Sequence, residues 1–362
     1  MISLYVSSTE HFSGKSALCI GLGKRFQRQG YAVGYLKPVS TSDRVVAERS
    51  SEDDAEFIRQ LFGLSEPLEV MAPLVITPIT VRAILKGEDH VDYCGRVKAA
   101  YDRVAAGKDI VLMEGGGDLT EGALVGCSPA LVANLFSARE IVVIKYSSDL
   151  QIVDHALAAR TMLGDSLLGV VFNVVPRERL PFINDVVRPF LDVRGIPTLG
   201  ILPRERILSS ASVGELVEGL SGEFLCGAEH RDELVEHLMV GAMNVEAALR
   251  YFRRKPNKAV ITGGDRPDIQ LAALETSTKC LILTGNLEPS PIILGRAEEV
   301  GVAVMLVKED TLTTVQTIEG FFGKTRFHQP KKIECFERLL EEHFDFARLD
   351  AALGLNETGP HR

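Results

Sequence analysis

Short apolar runs alternate along this chain with amphipathic stretches of helical length, and this alternation restricts the possible folds more than any other feature. Runs of five or six apolar residues are typical of buried strands, and strands that alternate with helices form βαβ units around a parallel sheet. In the first half the predicted strands lie near residues 2–6, 32–37, 109–113, 140–144, 168–173 and 198–202, with helices at 15–29 and 150–163 among them. The sequence therefore predicts an α/β protein with a doubly wound, mostly parallel sheet.

A second, smaller α/β domain is predicted in the other half of the chain. Its strands are expected near 258–262, 279–283 and 302–306, and its helices near 244–253, 266–275, 289–299 and 311–321. Residues 203–230 hold several glycines and serines without a sustained apolar period, so the boundary is placed there. The predicted domains are 1–205 and 206–325, followed by a C-terminal region at 326–362. That region has a helical apolar stripe from Ile333 to Phe344, expected to pack on the protein itself rather than on a partner, and an expected disordered tail from residue 356.

Charge and composition exclude several classes of function. The 362 residues carry a net charge of −9, and a chain this acidic lacks the clustered Lys and Arg needed to neutralise nucleic acid or an anionic membrane. The six cysteines form no C-x-x-C pair, which indicates reduced thiols rather than a zinc site. No signal peptide or membrane-spanning run is found, so the expected location is the cytoplasm.

The segment Gly14-Lys15-Ser16 follows the first predicted strand and opens the first predicted helix. Backbone N–H groups at such a turn point at phosphate, while lysine adds a positive charge and the serine hydroxyl reaches Mg²⁺. The first glycine of the usual phosphate-loop pattern is replaced by Thr9, and a chance Gly-Lys-Ser is the alternative interpretation. The position after the first strand favours the phosphate loop.

Charged side chains occur where two further predicted strands end. Lys37 ends the second strand, and Glu114 ends a buried strand that is followed by three glycines. Ligands of open α/β sheets bind at this edge, and carboxylates there are typical Mg²⁺ ligands beside phosphate. Asp54 is a second carboxylate candidate, although residues 51–54 also resemble the first turn of a helix. A lysine such as Lys37, taken alone, is usually a plain surface charge.

Five clusters, "TEHFSGKS", "GYLKPVST", "EDDA", "MEGGG" and "GVVFN", follow one another in the order and spacing of dethiobiotin synthetase, and residues 1–205 resemble that family. The loop resembles still more closely the synthetase-like amino-terminal domain of long bacterial phosphotransacetylases. This resemblance implies a doubly wound P-loop domain that binds ATP and Mg²⁺ and forms a homodimer.

The resemblance also implies roles for individual residues. Lys15 would contact the β- and γ-phosphates, and Lys37 would lie at the transferred phosphate. The implied nucleotide-binding residues are Thr9, Glu10, Ser13, Gly14, Lys15, Ser16, Asn173 and Pro203, and the implied Mg²⁺ ligands are Ser16, Asp54 and Glu114. Asn173 would read adenine, although an asparagine at a strand end can also cap a turn.

The substrate side departs from the synthetase pattern. His11 and Phe12 replace a small hydroxyl residue and an acid, and Asp118 follows the glycines in place of another glycine. His11, Thr41 and Gly116 are the substrate-side candidates. We expect phosphate chemistry to be retained and diamine recognition to be altered. A histidine such as His11 could carry a proton, or it could pack without a catalytic role.

The second domain resembles the DRTGG domain over residues 212–325. Gly263, Gly264, Asp265 and Arg266 lie between a predicted strand and a helix, where an anion could bind. From these residues alone, an ordinary βα turn is the favoured interpretation. In the family this domain accompanies the synthetase-like module and is associated with regulation.

Three functions follow as hypotheses. The first is a regulatory module that binds ATP and Mg²⁺ and responds to an unidentified small-molecule effector, with possible ATPase activity. The second is an ATP-dependent carbon–nitrogen ligase of the dethiobiotin synthetase or cobyrinic acid a,c-diamide synthase type. The third is a partner subunit of a phosphotransacetylase, because the residues after 325 are too few for an acetyltransferase domain. The sequence leaves open whether the chain is an enzyme.

Overall fold

A computed structural model of the chain describes residues 1–41, 45–322 and 327–355. The chain divides into two compact units, one formed by residues 1–204 together with the chain from Ile333 onward, and the other by Glu205–Lys332. The C-terminal helices thus belong to the first unit, whereas the sequence treated them as a region of their own.

The first unit is built around a parallel sheet. Its described strands are β1 (Ile2–Ser8), β2 (Val33–Leu36), β3 (Ser40–Thr41), β4 (Val75–Ile76), β5 (Ile110–Glu114), β6 (Arg139–Lys145), β7 (Leu167–Val175) and β8 (Thr198–Pro203). The main sheet has the order β2-β5-β1-β6-β7-β8, and β3 and β4 form a separate parallel pair. Apolar residues fill its interior strands on both faces, which is typical of a parallel sheet covered by helices. The predicted α/β fold with six principal strands is confirmed.

Helices cover this sheet. They are α1 (Lys15–Arg28), α2 (Val45–Phe62), α3 (Leu68–Met71), α4 (Pro78–Leu85), α5 (Tyr93–Ala105), α6 (Pro129–Leu135), α7 (Asp149–Leu163), α8 (Leu180–Phe182) and α9 (Arg188–Asp192). Because α2 begins at Val45, Asp54 lies inside a helix, and the interpretation of residues 51–54 as a helix start is wrong.

The second unit has a mixed sheet of its own. The strands of this unit are β9 (Ala211–Ser212), β10 (Glu223–Cys226), β11 (Leu234–Val235), β12 (His237–Val240), β13 (Lys258–Gly263), β14 (Thr278–Thr284) and β15 (Ala303–Leu306). β9 and β11 form a separate antiparallel pair, and the other five strands form the sheet. Its helices are α10 (Val213–Gly219), α11 (Val245–Phe252), α12 (Pro267–Leu274), α13 (Pro291–Val300) and α14 (Thr311–Phe321). The order is β10-β15-β14-β13-β12, with β10 antiparallel to β15. The sequence predicted the three central strands and missed the two edge strands.

The C-terminal helices α15 (Pro330–His343) and α16 (Phe346–Leu353) complete the chain that the structure describes. Leu340 and Phe336 lie directly over Gly21 of α1, where a Cβ atom would come within 2.3 Å of Leu340 Cδ1. Arg25 also donates two hydrogen bonds to Asp350, at 3.0 and 2.7 Å. The predicted tail at 356–362 lies outside the described residues. None of the helices described here is long and apolar enough to cross a bilayer.

Candidate functional site

The carboxyl ends of the parallel strands bring the predicted site residues to one edge of the main sheet. β1 leads into the loop before α1, β2 ends beside Lys37, and β5 ends at Glu114. Asn173 and Pro203 lie at the same ends of β7 and β8. In an open α/β sheet this is the edge at which ligands bind.

The loop from Thr9 to Gly14 lacks the first glycine of the usual phosphate-loop pattern, and side chains from β7 and α7 contact it instead. Gly14 has φ 103°, and a Cβ atom there would lie 2.3 Å from Asn173 Nδ2, so glycine is required. Gly14 also caps α1 without a side-chain hydrogen bond, which leaves the first N–H groups of the helix uncapped by a side chain. Thr9 Oγ1 lies 3.2 Å from Nδ1 of His155 on α7. A hydrogen bond to α7 therefore fixes the position of the Thr9 side chain.

Ser13 contributes a buried polar atom to this loop. Its Oγ finds no hydrogen-bond partner among the described residues, although the side chain is almost completely buried. Its carbonyl oxygen accepts a hydrogen bond of 2.8 Å from Asn173 Nδ2. Buried hydroxyl groups are nearly always paired, so the unpaired Ser13 Oγ fits a loop that takes a polar ligand.

Lys15 folds back over the loop in this structure. Its Nζ donates to Ser8 Oγ at 2.8 Å and to the carbonyl oxygen of Gly117 at 3.3 Å. Burial lowers the pKa of Lys15 below its ordinary value, the charge of Lys37 lowers it further, and Glu114 opposes both effects. The ammonium group therefore lies in an environment where an added anion would stabilise its charge.

Glu114 is the centre of a hydrogen-bonded cluster at the end of β5. Ser16 Oγ donates to its Oε1 at 2.7 Å, and the hydroxyl of Tyr35 donates to its Oε2 at 2.9 Å. Lys37 Nζ lies 3.8 Å from Oε1. Burial alone would lower the pKa of Lys37, but Glu114 and Asp54 together with a further carboxylate raise it. The structure thus brings Ser16, Glu114 and Lys37 together.

The metal candidates form a partial ligand set. Ser16 and Glu114 are in contact, and Asp54 acts electrostatically on Lys37 and Tyr35. Within the described ranges, no group of three or more His, Cys, Asp or Glu side chains is arranged to hold a metal ion. A hydroxyl and one or two carboxylates suit Mg²⁺, which takes few protein ligands and completes its shell with phosphate and water.

Glu121 is a site residue that the sequence analysis missed. Its carboxylate accepts a hydrogen bond from the backbone N–H of Gly117, and a Cβ atom on Gly116 would lie 2.2 Å from its Cδ. His11 covers the next glycine, since a Cβ atom on Gly117 would be 2.0 Å from His11 Cε1. The glycines after Glu114 therefore make room for Glu121 and His11. No sequence pattern marks a glutamate in this loop as inward-facing.

Thr41, the third substrate-side candidate, lies away from this cluster. It pairs with Ile76 at the small β3–β4 ladder and borders an open groove of about 520 Å³. The groove is also lined by the apolar side chains of Val81 and Leu85 and by Arg82. None of Lys15, Ser16, Lys37 and Glu114 is among the described residues that line this groove.

In the second unit the anion candidates form a βα turn. A Cβ atom on Gly264 would lie 1.6 Å from the carbonyl oxygen of Leu287, so only glycine fits there. Arg266 binds Asp268 through Nε and Nη2, both at 3.2 Å, and this contact lowers the pKa of Asp268. Gln270 Nε2 donates to the carbonyl oxygens of Gly263 and Gly264 at 2.9 and 3.0 Å. An anion would have to compete with Asp268 for Arg266.

Two protein families match this chain. Residues 3–212 match the AAA domain, and residues 215–321 match the DRTGG domain. Phosphate acetyltransferase of Nitratidesulfovibrio vulgaris is 26% identical over 97% of this chain and 51% of its own length. ATP-dependent dethiobiotin synthetase BioD of Methanococcus vannielii is 23% identical over 55% of this chain and 92% of its own length. The chain spans about half the length of the phosphate acetyltransferases that it matches.

Solved structures match each part at low overall similarity. The CBS and DRTGG domains of Clostridium perfringens pyrophosphatase, complexed with diadenosine tetraphosphate, are 22% identical over 37% of this chain and 67% of that chain, with a TM-score of 0.27. Cobyrinic acid a,c-diamide synthase of Mycobacterium smegmatis is 17% identical over 57% of this chain and 86% of that chain, with a TM-score of 0.34. TM-scores this low add nothing to the fold described above.

Proposed function

The chain belongs to the AAA domain family and carries a DRTGG domain after it, and from this premise we propose that it is a regulatory module that binds ATP with Mg²⁺. The observation that carries the proposal is the contact of Ser16 with Glu114, beside a lysine and an uncapped helix start. These are the groups that neutralise and position a nucleoside triphosphate.

Each polar group at this edge of the sheet has a role in the proposed binding of ATP with Mg²⁺. Backbone N–H groups of the loop and of the first turn of α1 would bind phosphate oxygens, and Lys15 would leave Ser8 to contact them. Ser16 and Glu114, with Asp54, would hold Mg²⁺, whose chemistry is to neutralise phosphate charge. Lys37 would neutralise the outermost phosphate. Asn173 and Pro203, at the ends of β7 and β8, lie where the base would be expected.

The regulatory role is supported by the altered substrate side. The carboxylate of Glu121 and the ring of His11 occupy the space beside Gly116 and Gly117, next to the phosphate loop. The Glu121 carboxylate there would repel a carboxylate or phosphate of a second substrate. The DRTGG domain provides a second unit through which a small-molecule effector could act.

The test is thermal unfolding with ATP and Mg²⁺. A ligand at about one hundred times its Kd stabilises the folded state by about 2.7 kcal/mol, so the Tm should rise by several degrees. Lys15→Ala should lose this rise, whereas Lys98→Ala, a change at an exposed position of α5, should keep it. The proposal fails if no nucleotide raises the Tm of the unchanged protein.

A ligase of the dethiobiotin synthetase type is the second candidate, favoured by the close approach of Lys37 to Glu114 at 3.8 Å. Two lysines at the phosphate edge could stabilise the charge that develops during phosphoryl transfer. ATP, bicarbonate and 7,8-diaminopelargonate should then give ADP and a ureido product in equal amounts. ADP formed without that product would favour the regulatory module. Mass spectrometry of molecules that co-purify with the chain would identify an effector directly.

A further inference from the structure

Two cysteines that are 33 positions apart in the sequence meet beside the glycine loop of the candidate site. Cys94 Sγ, in the first turn of α5, lies 3.3 Å from Cys127 Sγ, at the end of the loop that follows β5. Cys127 is buried, and Cys94 is partly exposed. All six cysteines are thiols in the part of the chain that the structure describes, and no sequence motif indicates this pair.

The geometry points to a site of reversible covalent modification: we propose that Cys94 and Cys127 form a disulfide when the protein meets a low-molecular-weight disulfide oxidant. A disulfide needs its sulfur atoms about 2.05 Å apart, so the two side chains must approach by little more than 1 Å. Neither cysteine lies in the middle of a helix or strand. Cys94 is in the first turn of its helix, and Cys127 follows Gly126, which has φ 71°.

The different surroundings of the two thiols set the order of the steps. Cys94 is the accessible thiol, and its Sγ is held by the carbonyl oxygen of Gly126 at 3.2 Å. Burial, followed by the hydrogen bond to Cys94, raises the pKa of the Cys127 thiol to about 12. Because the thiolate is the nucleophile, the more exposed Cys94 is expected to react first with a reagent from solvent.

Atoms, electrons and protons balance in this thiol–disulfide exchange, and no other group of the protein takes part. The Cys94 thiolate attacks one sulfur of the oxidant and forms a mixed disulfide, and the other half of the oxidant leaves as a thiolate. Cys127 then loses its proton to water and attacks Cys94 Sγ, which expels the second half as a thiolate. The protein loses two electrons and two protons, and the oxidant is reduced to two thiols.

The disulfide would fix the loop that carries Glu121. Cys127 N donates to the carbonyl oxygen of Gly122 at 2.9 Å, and Gly122 directly follows Glu121. Gly122 has φ 86°, and a Cβ atom on it would lie 2.5 Å from the carbonyl oxygen of Cys127. A bond from Cys127 to α5 would therefore restrict the turn whose other end places Glu121 against Gly117. Any effect on nucleotide binding rests on the function proposed above.

The test uses the full chain equilibrated in mixtures of reduced and oxidised glutathione, followed by acid quenching and peptide mass spectrometry. In the unchanged protein, a cross-linked peptide pair containing Cys94 and Cys127 should form and disappear again as reduced glutathione is added. Cys127→Ser should instead accumulate glutathione on Cys94. Cys226→Ser, which changes a partly exposed cysteine of the other unit, should leave the cross-link intact.

The proposal is overturned if the unchanged protein accumulates glutathione on Cys94 without the cross-link, or if both thiols stay reduced in fully oxidised glutathione. A second measurement tests the link to the site. Oxidised and reduced protein should differ at least twofold in Kd for ATP with Mg²⁺, and Cys94→Ser should show no difference. Equal Kd values in both states would overturn the link, whereas absence of ATP binding in both would count against the proposed function and leave the disulfide result standing.

Discussion

The side-chain amide of Asn173 donates a hydrogen bond of 2.8 Å to the carbonyl oxygen of Ser13, which ties the end of β7 to the phosphate loop. Asn173 Oδ1 in turn accepts a hydrogen bond of 2.9 Å from the backbone N–H of Val174. Both the nitrogen and the oxygen of the Asn173 side-chain amide therefore already have hydrogen-bond partners within the protein. The role that family resemblance gives it, recognition of adenine, stays a proposal.

Gly14→Ala should destabilise the fold through two separate effects. A left-handed backbone costs an L-residue about 1–2 kcal/mol, and the new methyl group would meet Asn173 Nδ2. We expect the free energy of unfolding, measured in urea, to fall by about 2–3 kcal/mol. In an Asn173→Ala background the same change should cost about 1 kcal/mol less, because the obstructing amide is gone.

Gly107→Ala is the matched control, since Gly107 has φ 73° and, within the ranges that the structure describes, nothing lies within 4 Å of its Cβ position. Gly107→Ala should lower the free energy of unfolding only by the cost of the left-handed backbone, and by the same amount in the unchanged and the Asn173→Ala backgrounds. Equal costs for Gly14→Ala in the two backgrounds would show that the contact with Asn173 does not restrict this position.

Glu140 should make stability fall as the pH rises toward neutrality. Its side chain is fully buried on β6, where Ser7 Oγ donates to Oε1 and Oε2 has no partner among the described residues. Burial raises the pKa of Glu140 to about 7. The folded protein therefore binds more protons than the unfolded chain between pH 4.5 and 7, and stability is lost as the pH rises through this window.

Glu140→Gln removes that titration. The free energy of unfolding of the variant should exceed that of the unchanged protein by about 1–3 kcal/mol more at pH 8 than at pH 4.5, since one pKa unit corresponds to about 1.4 kcal/mol. Urea unfolding at both pH values measures this difference. Glu178→Gln, at an exposed position, is the control, and the same pH dependence in both variants would contradict the assignment.

Lys258 should have the opposite pH dependence in the second unit. It is fully buried on β13, and its Nζ donates to the carbonyl oxygen of Ser277 at 2.9 Å. Burial lowers the pKa of Lys258 to about 8. The unfolded chain then binds more protons above pH 8, so stability should rise between about pH 8 and 10.5 by roughly 1–3 kcal/mol.

Lys258→Met should flatten this rise and stabilise the second unit at pH 7, where the buried charge is otherwise present. The measurement is urea unfolding followed across pH 7 to 10.5. Lys308→Met, an exposed substitution in the same unit, should keep the slope of the unchanged protein. A slope that survives Lys258→Met would assign the titration to another group.

Gly21→Val should disrupt the packing of the C-terminal helix on α1. The added side chain would start 2.3 Å from Leu340 Cδ1, and overpacking a buried contact costs about 1–3 kcal/mol. Leu340→Ala alone should cost about 2–5 kcal/mol through the cavity that it leaves. The double variant should be more stable than the sum of the single losses predicts, as measured by thermal and urea unfolding.

Gly295, at an exposed position of α13, provides the comparison, because no atom of the described residues lies within 4 Å of its Cβ position. Gly295→Ala should be neutral or stabilising by up to about 1 kcal/mol. If Gly21→Val were equally harmless, the C-terminal helix would not pack on α1 as described.

The sequence predicted what depends on local pattern. Buried strands such as β1 and β5 have continuous apolar runs, and helices such as α12 begin at a proline, so both were found. The edge strands β10 and β12 were missed because each is only four residues long, so the apolar run in each is too short to indicate a strand. Strand-end positions placed Lys37 and Glu114 at the ligand-binding edge, since parallel strands end at one edge of the sheet.

Contacts between distant parts of the chain could not be predicted in this way. Glu121 faces inward because of the path of a glycine-rich turn, and the meeting of Cys94 with Cys127 depends on how α5 packs near that turn. Tyr35 could have been found, because it precedes Lys37 by two positions on a strand and so faces the same side.

The return of α15 to α1 also determines the order in which the protein can be completed during synthesis. A ribosome makes residues 1–204 first, then the whole second unit, and only afterwards the helix that covers Gly21. Until then the apolar face of α1 that receives Phe336 and Leu340 stays uncovered. The first unit is therefore the first to begin folding and the last to be completed.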